Sequence, residues 1–187
     1  MSLHASLPGS LWRPLRRFGR NRKASAAVEF ALIAPLFFGM LFAIIETALM
    51  FFASQYLETI NQDLARLIMT GQAQSVTYSG PSDFLSKNLC NPPAPATAPV
   101  LFTCSNLYID VQSYSTFQTV NITSPLDGSG NFTNNMQWNP GGAGSIVVVR
   151  MFYQWPTFVT SLGFNLSNMS SNKVLLTATA AFKNEPF

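Results

Sequence analysis

The chemistry-bearing residues of this chain are few. Glu29 and Glu46 border and interrupt a strongly apolar run, Cys90 and Cys104 stand 14 residues apart, and the only histidine is His4. An ionised carboxylate inside a bilayer helix costs about 2.5–3.5 kcal/mol on insertion scales, so an acid at that depth should face a partner. At the interface the same acid costs little and is favoured by the helix N-terminal dipole. For Glu29 both readings stay open. Glu46 follows it by 17 residues, about 25 Å along a helix axis and on a different face. The two therefore form no single ion site; Glu46 is expected at the outer interface or against a neighbouring helix.

Nucleophilic catalysis needs a base beside the nucleophile, and no histidine follows His4. Asp83, Asp110, Asp127 and Glu185 could in principle work as hydrolytic carboxylates, but their spacing matches no known pairing. Gly141-Gly142-Ala143-Gly144 lacks the Lys-Ser/Thr of a phosphate loop. The chain reads as a non-enzyme without cofactor or metal. In an oxidising compartment Cys90 and Cys104 read as a disulfide, since no further Cys or His completes a metal site; two separate thiols are the alternative. Pro92, Pro93, Pro95 and Pro99 between them indicate a stiff irregular loop.

The elements that position these residues begin with a helix. Residues 30–53 carry one charge, Glu46, and about 20 apolar residues span the hydrocarbon core. The run exceeds the hydrophobic region of a cleaved secretory signal and reads as a retained membrane helix. Pro35 and Gly39 lie inside it, a pattern that membrane helices tolerate. In residues 55–70, Leu57, Ile60, Leu64, Leu67 and Ile68 recur at three- and four-residue spacing between Glu58, Asp63 and Arg66, which is an amphipathic stripe. Gly71 is a suitable stop, so one continuous helix is expected over residues 25–70. Arg66 is expected as a surface charge, solvated or paired with Asp63 or Asp110.

Beyond the helix the pattern turns to strands. Residues 106–114 alternate apolar and polar, residues 145–155 are β-branched and aromatic, and residues 173–182 suit a strand better than a helix. Arg150, inside the second of these, is expected to form a structural salt bridge. Residues 115–144 read as a long polar loop, functional or disordered. Sequons at Asn121, Asn131, Asn165 and Asn168 carry little weight. The expected fold is α+β: a long N-terminal transmembrane and amphipathic helix packed on a small antiparallel sheet. Its parts are a basic leader (1–23), a transmembrane helix (24–53), an amphipathic extension (54–71) and an exported strand-rich domain (72–187).

Six of the eleven basic residues lie in the first 23 positions; after them come five basic and eight acidic residues. The basic balance thus belongs to the leader and offers no nucleic-acid surface. Positive residues stay on the cytoplasmic side, so the N-terminus is expected inside and the rest exported.

Residues 26–36, Ala-Ala-Val-Glu-Phe-Ala-Leu-Ile-Ala-Pro-Leu, resemble the N-terminus of prepilin-like proteins, and in detail the TadE-like proteins of Tad (Flp) pilus systems. Further points of resemblance are Ala65-Arg66 with Gly71, the Cys90/Cys104 pair with residues 107–111, residues 149–153, and the tail 182–187. The resemblance implies a pseudopilin of the bacterial inner membrane, single-pass, with a periplasmic domain. It implies a prepilin-peptidase cut between Ala24 and Ser25, making Glu29 the fifth and Phe30 the sixth mature residue. Glu29 would then pair with a new α-amino group, neutralising two charges in lipid. Ala24 departs from the pattern, where glycine is typical. The implied partners are the lipid bilayer, other pilin-like or Tad assembly proteins and the peptidase. The resulting expectation is a minor pseudopilin or membrane-anchored assembly subunit. The alternative is an uncleaved bitopic anchor whose periplasmic domain binds a ligand or protein; a membrane-tethered carboxylate hydrolase is a weaker third.

Overall fold

The computed structural model describes residues 22–91, 101–158 and 166–187, with side chains from residue 26. Most of the basic leader, the proline-rich stretch 92–100 and Asn165 lie outside these residues. The element order is α1 (Arg22–Met69), α2 (Pro81–Leu85), a π-helical turn (Ser86–Cys90), a 3-10 turn (Cys104–Asn106), β1 (Leu107–Tyr114), a second 3-10 turn (Phe117–Thr119), β2 (Ile146–Pro156) and β3 (Lys173–Lys183). The fold is α+β. Contacts divide the chain into two units, with the boundary between Ile44 and Ile45 inside α1. The C-terminal unit therefore takes in the last 25 residues of the helix.

In the C-terminal unit the three strands form one antiparallel sheet in the order β1-β2-β3. Its register pairs Val111 with Val149 and Val149 with Ala180. Odd-numbered residues of β1 and β2 and even-numbered residues of β3 share one face, because directly opposed residues point the same way. Ile109, Val111, Val147, Val149, Met151 and Ala178 from that face are buried with Ala53, Leu57, Ile60, Leu64 and Ile68 of α1 in one core. The amphipathic stripe thus lies flat on the sheet, as its spacing requires. α1 ends where the stripe ends. Gly71 adopts φ +80°, and the Gly71 N–H bonds back to the Ile68 carbonyl, a left-handed stop that favours glycine.

Residues 115–144 are the main departure from expectation. They form no strand of the sheet, yet they are neither a free loop nor without a core: they cover the second face. Phe152, Met169 and Leu175 pack there with Tyr108, Leu126, Phe132 and Met136. The same segment closes the outer edge of β1, where the Val111 N–H donates to the Gln137 carbonyl and the Asn139 N–H to the Val111 carbonyl. Trp138 then packs at a tilt against Phe84 at 4.5 Å and meets Tyr78 edge-on at 5.5 Å. The segment's Asn, Ser and Gly residues make turns, and its Leu126, Phe132 and Met136 supply the cover.

Candidate assembly surface

The sheet's second face carries the one buried ion pair among the described residues. Asp110 and Arg150 are directly opposed across β1 and β2, 2% and 6% exposed, with Arg150 Nη2 2.6 Å from Asp110 Oδ2. Arg150 Nε also donates to Oδ2 at 3.2 Å and Nη1 to the Thr123 carbonyl at 2.6 Å. The carboxylate further accepts from the Gln137 N–H (2.8 Å) and Gln112 Nε2 (2.9 Å). A charge pair with this many hydrogen bonds is tolerable in a core. Thr123 and Gln137 belong to the covering segment, so the pair pins it to the sheet. The salt bridge expected for Arg150 is present, and its partner removes Asp110 as a partner for Arg66. Asp110 is committed to Arg150, and Arg66 lies exposed on α1. Two other acids are also structural: Asp83 bonds Lys87 at 2.9 Å, and Asp127 closes its own turn; Glu185 is exposed. Among the described residues no group of three or more His, Cys, Asp or Glu could hold a metal.

Cys90 and Cys104 are bonded to each other with Cα atoms 6.1 Å apart. The bridge ties the turn after α2 to the turn before β1, and so fixes α2 beside that strand.

A second buried polar residue gave no signal in the stripe. Asn61 sits in the centre of α1's buried face at 0% exposure, with neither Nδ2 nor Oδ1 hydrogen-bonded. The sequence shows only an asparagine beside Ile60, and helical spacing places it inward.

α1 itself is one helix through Pro35. It is long and apolar enough to cross a membrane from Ala26 onward. In its first part Phe30, Leu32, Ile33, Leu36 and Phe37 are 60–75% exposed, so that segment shows an apolar surface on all sides. A helix apolar all round belongs in a membrane or against other helices. Glu29 is on this segment and exposed. Phe30 beside it is also exposed, and Ala24 and Ser25 lie in the first helical turn.

Residues 24–72 match the family model of TadE-like proteins. The match covers α1 from its third residue and the Gly71 turn, and stops short of α2, the cysteines and the sheet. No curated protein and no solved structure matches the chain. Within the matched segment, Glu46 is the acid the structure locates most fully. It is 8% exposed, and its Oε1 accepts the Phe158 N–H at 2.6 Å. Its partner thus comes from its own chain, just beyond β2, where a neighbouring helix was one expectation.

Proposed function

We propose that the protein is a membrane-anchored assembly subunit, pilin-like, of a Tad/Flp-type pilus. The observation that carries this reading is a coincidence of boundaries. The TadE-like match covers residues 24–72, nearly the extent of α1, and the large apolar side chains of that helix from Val28 to Phe52 are mostly exposed, before the stripe turns inward at Ala53. Such a surface works by lateral contact with lipid and other helices, while the sheet domain stands in the periplasm. The Arg- and Lys-rich leader orients the helix with its N-terminus in the cytoplasm.

In this reading a prepilin peptidase cuts between Ala24 and Ser25, and Glu29, next to Phe30, pairs with an α-amino group of its own or an adjoining subunit. Ala24 and Ser25 lie at the fraying end of α1, where one turn opens at small cost. Edman sequencing of protein purified from cell membranes tests the route. A start at Ser25 fits the pilin path, whereas an intact leader refutes cleavage. The second reading, an uncleaved bitopic anchor with a ligand- or protein-binding head, is favoured by Ala24 at the position where glycine is typical. Protease protection in spheroplasts tests both. Cleavage sites in the sheet domain should be accessible from outside, and protection of that domain would overturn the topology.

A further inference from the structure

The hydrogen bond from the Phe158 N–H to Glu46 joins the end of β2 to the apolar helix inside a single compact unit. The neighbouring Thr157 is held as well, its Oγ1 donating to the Asn172 carbonyl at 2.7 Å. Phe158 is therefore fixed in place, yet its ring is 77% exposed, the most exposed large apolar side chain of the described residues. Three residues of α1 beyond Glu46, toward the sheet, are also exposed and apolar: Leu49 at 51%, Phe51 at 65% and Phe52 at 64%. Six residues of helix rise about 9 Å, so the apolar exterior continues well past the level at which Phe158 is anchored.

We infer that the head of the molecule is seated in the outer leaflet, with Phe158 inserted beside α1 at the depth of Glu46. The occupant of this surface is lipid. No charged residue lies between Glu46 and Glu58 on the helix, and none lies between Arg150 and Lys173 on the β2–β3 connection. A surface that met water or a polar partner would not be cleared of charge on both contributing segments. The Phe158 N–H also supplies the carboxyl of Glu46 with a hydrogen bond that hydrocarbon could not offer. Phenylalanine rings, favoured in the hydrocarbon on insertion scales, suit the lipid side of this level.

The inference rests on the membrane-anchored reading above, and the test separates the two. Full-length protein is expressed in cells with p-benzoylphenylalanine replacing Phe158, Phe37 or Phe117, irradiated, and analysed by intact mass. Phe37 lies within the apolar span and Phe117 is an exposed residue of the covering segment, 61% accessible. Lipid adducts at positions 37 and 158, and none at 117, are expected. Lipid adducts at 37 with only protein adducts or none at 158 would overturn the seating while leaving the anchor intact. Absence of lipid adducts at 37 would remove the anchor and the seating together. Glu46→Gln, which keeps an acceptor, should preserve the yield at 158, and Glu46→Ala should lower it several-fold. Equal yields in both would refute the tether.

Discussion

Arg150 and Asp110 show how a single charge pair can hold thirty residues of irregular chain in place. Removing one member leaves the other buried and unpaired, which costs about 3–5 kcal/mol. Arg150→Ala is therefore expected to lower unfolding free energy by about that amount, measured by denaturant titration in detergent. The loss should be less than additive in Arg150→Ala/Asp110→Ala, because the double variant leaves no orphan charge. Asn61 presents the opposite case. An isosteric apolar side chain removes an amide that makes no hydrogen bond, and burying such a group costs about 1–3 kcal/mol. Asn61→Leu should stabilise the fold by a similar amount, and a loss of stability would show that the amide has a partner in solution.

Two exposed acids give a pH dependence of known sign. Asp127 is held below the ordinary 3.8 by the N–H of Asn131, then by the Asn131 side chain and the Ser129 N–H. Asp83 is lowered first by its hydrogen bond from Lys87 and then by the Ser79 N–H. A carboxyl lowered in the folded state adds stability above its unfolded value, and that contribution is lost as pH falls through 3.8 toward the folded value. The protection factors of the Ser129 and Asn131 amides, corrected for the intrinsic pH dependence of exchange, should fall below about pH 4. In Asp127→Asn that fall should be absent.

At the scale of elements, the end of α1 is the best-determined joint. Gly71 is left-handed, and a Cβ placed on it would run into the Phe187 ring. The C-terminal tail lies over this turn, with the Glu185 N–H bonded to Met69 and the Asn184 side chain bonded to the Pro140 and Gly142 carbonyls. Gln74 Nε2 reaches Ile68 and Pro140, so helix end, covering segment and tail meet here. Gly71→Ala should destabilise by more than about 1 kcal/mol, since left-handed strain adds to displacement of Phe187. Deleting residues 185–187 should reduce that penalty by removing the clash, a comparison made by thermal unfolding of the four combinations.

For the molecule as a whole, the helix has two kinds of surface, exposed apolar side chains in one part and side chains covered by the sheet in the other. The Cys90–Cys104 bond acts only on the second. Closing 14 residues should contribute on the order of 3 kcal/mol in the chain-entropy model. Cys90→Ser/Cys104→Ser should therefore lower the head's unfolding midpoint and leave the carbonate-resistant membrane fraction unchanged. Loss of that fraction would mean that the anchor depends on the folded head.

The helix, its amphipathic stripe, its glycine stop and the three strands were legible in the sequence, because each rests on a local period or a local backbone requirement. Spacing of three and four residues makes Leu57, Ile60, Leu64 and Ile68 one face whatever lies opposite, and alternation does the same for residues 107–114. The family resemblance at residues 26–36 was legible for the same reason, being contiguous. The partner of Asp110, the lack of a partner for the Asn61 amide and the meeting of Glu46 with Phe158 were decided only by the tertiary structure. These join residues 40 or more positions apart, or depend on what is laid against a helix face, and no period records either. The covering role of residues 115–144 belongs with them: polar turns carry no repeat, and Leu126, Phe132 and Met136 come to one side only once the sheet provides a surface to pack on.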